Sequence, residues 1–288
     1  MNPVLVTGAT GTVGAHVVRE LQRRATPVRA FVRDPEKAAR LLGAEVEPVV
    51  GDFGDPAALR AAVDGVERVF LACANHPQQV PWETAVVDAA AAAGVRHVVK
   101  LSAFGAYIGS AVAFLDANGR IEHHLRRSGV AWTLLRPSFL MANLLRGAGG
   151  VRSEDAFLVP GADAEIALVD PRDVAEVAAV VLTGAGHAGH HYDLTGPAPV
   201  TFDDVAEHLS AVLGRRIDYV ALSDDQATTR FTAAGAPALV RGERGPALRR
   251  PAPGRTGGGP RHRGRVRRRG PLGAAVPARE RERLRLTA

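Results

Sequence analysis

Apolar residues along this chain fall into short runs that alternate with stretches of helical periodicity. The first run is Pro3 to Thr7, and Val28 to Val32, Val46 to Val50, Arg68 to Ala72 and Val95 to Ser102 follow it as four more candidate strands. Between the first two, Val13, Val17, Val18 and Leu21 recur at helical spacing opposite Arg19, Glu20, Gln22 and Arg23, which predicts an amphipathic helix. A second, alanine-rich helix is predicted over Pro81 to Ala93, with a glycine stop at Gly94. Strands separated by helices of this length predict an α/β fold with a parallel sheet wound by right-handed crossovers. In such sheets ligands gather at the carboxyl ends of the strands.

The junction of the first strand and first helix carries Gly8-Ala9-Thr10-Gly11-Thr12-Val13-Gly14. Gly8 lets the strand turn sharply, Gly11 lets backbone amides approach a diphosphate, and Gly14 lets the helix lie close to the strand. The diphosphate then sits at the positive end of the helix, where free N–H groups point at it. Strand, glycine turn and helix in this order predict a dinucleotide site of the Rossmann type, with Gly8, Thr10, Gly11, Thr12, Val13 and Gly14 as its loop. The second strand ends in Arg33-Asp34-Pro35. An arginine at that strand end suits a 2′-phosphate, so NADP(H) is expected, with NAD(H) as the other candidate nucleotide. The competing reading makes Arg33 a solvated side chain beside an Asp34 that caps the next helix. The fourth strand closes at Ala72, and Cys73-Ala74-Asn75 is expected to pass under the adenosine side. Cys73 reads as a small buried residue, since no base is paired with it.

The words Val6-Thr7-Gly8-Ala9-Thr10-Gly11 resemble the short-chain dehydrogenase/reductase superfamily in its extended and atypical branches. Three later stretches narrow the resemblance: Asn75 to Gln79, Ala92 to Ser102, and Trp132-Thr133-Leu134-Leu135-Arg136-Pro137. Together they resemble the NmrA-like atypical reductases over residues 1 to about 237. That family includes NAD(P)H-dependent quinone and azo-dye reductases and also redox sensors without turnover. The resemblance implies that Asp52, at the end of the third strand, lies beside the adenine; as a bare sequence feature Asp52 reads equally well as a turn residue.

In typical superfamily members a Tyr-x-x-x-Lys helix precedes the Leu-Arg-Pro strand, the tyrosine protonating the carbonyl that receives hydride. Counted back from Arg136-Pro137, those two positions fall on Phe114 and Asn118. Phe114 has no proton to donate, and Asn118 supplies a hydrogen bond to a ribose but no charge. Lys100, Ser102 and Asn118 remain as the candidates on the nicotinamide side, and Tyr107 is a weaker one in a glycine-containing loop. Hydride transfer to a quinone, flavin or azo bond asks less of a protein, because the acceptor is already electrophilic and needs mainly to be oriented. The expected function is an atypical reductase acting on a small electrophilic acceptor; the alternative is an NADP(H)-binding redox sensor.

Beyond Pro137 the segment Phe139 to Leu145 reads as an apolar, helix-like wall of a substrate pocket with Asn143 as its polar interruption. Ile166 to Asp170 and the helix after Pro171 resemble a structural connection of the superfamily, with Asp173 in a structural role. Thr201 opens a capped helix that ends at Gly214. His187, His190 and His191 lie among glycines and read as a solvated loop, with no metal site expected.

Charge and composition change this picture at one end only. The 288 residues carry a net charge of +6, but residues 241–288 hold fifteen Arg and three Glu, leaving the first 240 with 21 basic and 27 acidic residues. The globular part is therefore acidic, and attraction to nucleic acid belongs to the tail alone. That tail also holds nine Gly and six Pro and no aromatic residue, a composition that does not build a core. With 34 Arg against two Lys in the whole chain, it also reads as the product of a frameshift near residue 240 in a GC-rich gene, against an evolved basic arm. The expected organisation is a dinucleotide-binding core over 1–137, a small C-terminal α/β substrate lobe with returning sheet elements over 138–240, and the tail over 241–288. One cysteine, no leader-like segment and no long apolar run predict a cytoplasmic protein without a membrane partner, monomeric or homodimeric.

Overall fold

The computed structural model describes residues 2–161 and 164–233. The basic tail, and the expectations attached to it, lie outside the described residues. Among the described residues seven parallel strands form the central sheet: β1 (Val4–Val6), β2 (Val28–Val32), β3 (Glu47–Val50), β4 (Arg68–Leu71), β5 (His97–Leu101), β6 (Ala131–Pro137) and β10 (His190–Leu194). Their spatial order is β3-β2-β1-β4-β5-β6-β10. This is the doubly wound sheet expected from the alternation of strands and helices, with a chain reversal between β1 and β4 that opens a crevice at their carboxyl ends.

Neighbouring residues in each strand point to opposite faces, and each face has its own core. On one, Val6, Phe70, Val99 and Leu135 pack under α1 (Gly14–Arg23) and α7 (Pro171–Thr183). On the other, Leu5, Val69, Val98 and Leu134 pack under α3 (Pro56–Val63), α4 (Gln79–Ala92) and α5 (Ala113–Arg127). The helix starts follow a repeated local rule: Asp34, Asp55 and Asp170 each accept from backbone N–H groups just ahead, and each is followed by a proline, setting α2 (Pro35–Leu42), α3 and α7.

A smaller lobe is built from β7 (Phe139–Leu140), β8 (Ala156–Val159), β9 (Ile166–Val169), β11 (Pro199–Val200) and β12 (Asp218–Ala221). Phe202, first residue of α8 (Phe202–Leu213), is the hub of its core, with Phe157 and Tyr219 at ring distances of 6.1 and 5.5 Å. Thr201 and Asp204 form a reciprocal capping box there, and Gly214 ends the helix in the left-handed region. The segment after Pro137 departs from the predicted helix-like form at its first two residues. Phe139 and Leu140 pair with Leu168 and Val169 of β9, and a 3₁₀ helix (Met141–Gly147) follows, with Leu145 largely exposed. Strand pairing with β9 overrides the apolar helical pattern.

The glycine-flanked histidines also depart from the predicted solvated loop. His190 and His191 are exposed, but His187 is buried, with Nδ1 2.8 Å from the Tyr192 hydroxyl. The backbone O of His187 accepts the Thr133 hydroxyl proton at 2.6 Å, so His97 Nε2, 2.9 Å from the same hydroxyl oxygen, is the donor in that contact. Burial, reinforced by Arg68 and His187, pushes His97 down from 6.5 to about 4. The unfolded chain therefore takes up a proton between those values that the folded chain refuses, and stability is lost as pH falls from about 6.5 towards 4. Allowing for the partly solvated ring, about 1–2 kcal/mol is expected to disappear over that window. Urea midpoints measured from pH 4 to 7 for the parent and His97→Gln check this: an equally steep pH dependence in the variant would refute it.

Candidate functional site

The glycine turn between β1 and α1 is fixed from below. The Thr7 hydroxyl donates to Ala72 O at 2.9 Å and accepts from Ala72 N–H at 2.8 Å, tying the end of β1 to the end of β4. Gly8 then turns with φ +60°, and a Cβ there would stand 2.8 Å from Ala72 O. Gly11 N–H donates to Gly8 O at 2.9 Å. Helix α1 starts so close to this turn that a Cβ on Gly14 would lie 2.1 Å from Gly8 O. Gly11 and Thr12 are exposed, Thr10 is half-buried, and Val13 is buried in the core below. Helix α1 has no side-chain cap and no acidic residue in its first turn. Among the described residues the N–H groups of Thr12 and Val13 meet no protein acceptor. A cradle shaped by absent side chains, with free amides at the positive end of a helix, fits a diphosphate.

Around the rim, Arg33 stands exposed at the end of β2 without a hydrogen bond or ion pair among the described residues, while Asp34 is engaged as the cap of α2. Asp52 closes a turn by accepting Gly54 N–H at 2.9 Å through Oδ1. Beside it runs an aromatic stack that inspection of the sequence missed: His76 lies on Trp82 at 4.2 Å, Trp82 on Phe53 at 6.0 Å, and Phe53 meets Phe31 edge-on at 5.5 Å. These rings come from β2, the ends of β3 and β4, and α4, and so stiffen the rim at the carboxyl ends of β2 to β4. Cys73 follows Ala72 there; burial and the nearby Glu83 push its thiol up to about 12, which keeps it a thiol, not a nucleophile.

At the carboxyl end of β5 the three predicted candidates are all buried and fall into two separate hydrogen-bonded groups. Lys100 shares the β5 face of Val98, so its side chain runs between α4 and α5, where Nζ lies 2.9 Å from Glu83 Oε2 and donates to Asn118 Oδ1 at 3.0 Å and to Leu101 O. It is 1% exposed, so the expectation that it faces the cofactor directly is corrected: its ammonium is surrounded by protein acceptors. Ser102 likewise turns inward and donates to Glu122 Oε1 at 2.5 Å. Arg136, from the Leu-Arg-Pro strand, donates to the same carboxylate through Nε at 2.8 Å. Phe114 and Asn118 lie one helical turn apart on α5, where Asn118 Nδ2 donates to Phe114 O at 2.9 Å. Tyr107 is exposed, in a loop whose backbone rests on Gly119, where a Cβ would lie 2.4 Å from the Tyr107 carbonyl carbon. Asn143 is only half-buried, on the 3₁₀ helix.

The pattern that defines the NAD(P)H-binding family matches residues 8–185, from the glycine turn through α7. The chain belongs to that family. In agreement with the NmrA-like resemblance, it is 39% identical over 234 residues to NAD(P)H azoreductase of Xenophilus azovorans, covering 81% of this chain and 82% of the relative. It is 45% identical over 231 residues to (4-alkanoyl-5-oxo-2,5-dihydrofuran-3-yl)methyl phosphate reductase of Streptomyces griseus, covering 80% of each. The NADPH complex of an NADPH-dependent quinone oxidoreductase from Escherichia coli superimposes with a TM-score of 0.74 at 31% identity, over 83% of this chain and 86% of that one. Among the described residues no helix is long and apolar enough to cross a membrane, and no cluster of three or more His, Cys, Asp or Glu is placed to hold a metal.

Proposed function

We propose that this protein is an NADPH-dependent reductase that passes hydride to a small, electron-poor conjugated acceptor such as a quinone or azo compound, without the Tyr/Lys pair. The observation that carries the reading is the intact glycine cradle; it is supported by Phe114 and Asn118, one turn apart on α5, which fall where the resemblance implies a proton-donating tyrosine and its lysine. A site that binds the nucleotide but carries phenylalanine in place of a phenol at residue 114 suits an acceptor whose π-system takes hydride readily once it lies flat against the ring. The named relatives support this class. Quinone, azo bond and an alkene conjugated to both a lactone and an alkanoyl group are all electron-poor π-systems.

In this reading Gly8, Gly11 and Gly14 shape the cradle, Thr10 completes the loop, and the amides of Thr12 and Val13 bind the diphosphate. Ala72 forms the floor beneath Gly8, Arg33 holds the 2′-phosphate, and the Asp52 carboxylate accepts from the adenine amine. Bound NADPH supplies the hydride. The surrounding chain orients it, and water supplies the proton that completes a hydroquinone.

NADPH oxidation followed at steady state with a panel of quinones and azo dyes tests the proposal. Tight NADPH binding without turnover on any of them would replace the reductase with a redox sensor. The Arg33→Ala variant is expected to bind NADPH about 10- to 100-fold more weakly and NADH unchanged, the loss of a charge-assisted contact. Equal weakening for both nucleotides in a fluorescence titration would remove Arg33 from the 2′-phosphate site.

A further inference from the structure

Beneath the carboxyl ends of β4 and β5, four buried polar side chains form a single chain: Gln79 and Glu83 from α4, Lys100 from β5 and Asn118 from α5. Gln79 Nε2 donates to Glu83 Oε1 at 2.9 Å. Glu83 Oε2 lies 2.9 Å from Lys100 Nζ, which donates onward to Asn118 Oδ1 at 3.0 Å. Glu83 and Lys100 are 0% and 1% exposed. Removing two such charges from water costs several kcal/mol per ion, and an apolar pair of the same volume would hold the helices to the sheet at least as well. The charges need another reason to be there.

Asn118 shows what they accomplish. A primary carboxamide is nearly symmetric in shape and reads its surroundings only through which end donates. Here the Lys100 ammonium fixes the oxygen end, since a flipped amide would set two donors against each other. One N–H then goes to Phe114 O, and the second is left uncommitted among the described residues. Counted back from Arg136-Pro137, residue 118 falls where the resemblance implies a lysine that holds the ribose, and the Lys100 ammonium reaches the Asn118 carboxamide from the neighbouring strand. We propose that Asn118 donates its remaining N–H to the ribose of the bound nucleotide, and that Lys100, held by Glu83, is a positioning residue that fixes the carboxamide for that contact. The proposal rests on the nucleotide reading of the crevice given above.

Lys100→Met alone strands Glu83 as an uncompensated buried charge, so the informative variant is the double substitution E83Q/K100M, which removes both charges with little change of volume. NADPH affinity is read by fluorescence titration and folding by the urea midpoint, for the parent, E83Q/K100M, N118L and the triple variant. The double variant is expected to keep a urea midpoint near the parent's, yet to bind NADPH about 3- to 10-fold more weakly, the value of one hydrogen bond. N118L is expected to show the same loss, and the triple variant no further loss, because Lys100 acts through Asn118. Parent-like NADPH affinity in the double variant would reduce Glu83 and Lys100 to a structural pair. Additive losses in the triple variant would break the link between Lys100 and Asn118. A parent protein that binds no NADPH would overturn the nucleotide reading itself, and that result is recorded before any variant is compared.

Discussion

Gly14→Ala is expected to weaken NADPH binding by about 100-fold and to lower folding stability by about 2–3 kcal/mol. A single methyl group at this position would stand 2.1 Å from Gly8 O, and the atoms around it are backbone, with no flexible side chain to swing aside. Helix α1 must therefore shift or tilt, and overpacking of this kind costs about 1–3 kcal/mol. The same shift moves the Thr12 and Val13 amides off the diphosphate position proposed for them, and a displacement of about 1 Å in a positioned site costs on the order of 10²-fold. Gly149→Ala is the matching control. Gly149 is exposed on α6 (Ala148–Ser153) with nothing within 4 Å of its would-be Cβ, so a small gain of about 0.5–1 kcal/mol is expected and no change in NADPH affinity. If the two variants bind NADPH alike, the cradle is not the diphosphate site.

The second large effect is expected at Arg136, whose guanidinium meets the Glu122 carboxylate while Ser102 donates to the same group. Glu122 is 1% exposed, and its other basic neighbour, Arg126, is a partly exposed side chain 3.3 Å away. Arg136→Leu leaves that carboxylate buried with only these weaker partners, and about 3–5 kcal/mol of stability is expected to go. The double variant R136L/E122L is expected to recover most of it, because no charge is then stranded. Guanidinium unfolding curves decide the matter: a loss below about 1 kcal/mol in the single variant would show that Arg126 and Ser102 suffice.

Much of the scaffold is readable from local chemistry. Asp-Pro at 34–35, 55–56 and 170–171 marks helix starts because a carboxylate cap and a proline at the first helical position both satisfy the same free N–H problem. The glycine turn is readable because only glycine relieves the contacts at residues 8 and 14. Phe139 and Leu140 misled because the apolar pattern of their segment fits a helix, which Met141 to Leu145 do form, while their own partner, β9, lies almost thirty residues away. The buried carboxylates were missed for a different reason. Glu83 and Glu122 sit in helices where acidic residues usually face water. Their spacing gives them away in retrospect: Glu83 shares a stripe with Gln79, Val86, Val87 and Ala90, and Glu122 falls in with Leu115, Asn118, Ile121 and Leu125. A carboxylate in an apolar stripe asks for a buried cation, and Lys100, inside an apolar strand, answers it for Glu83.

The place of β10 in the sheet has a consequence for how the protein is made. It pairs along the full length of His190–Leu194 with Thr133–Pro137 of β6, yet it is synthesised about fifty residues later. At roughly 5–20 residues per second, a nascent chain on the ribosome carries the outer edge of β6 uncovered for about 3–10 s. Until β10 arrives, that edge is open to strand addition by another unfinished chain, and the pairing of β10 is what closes it.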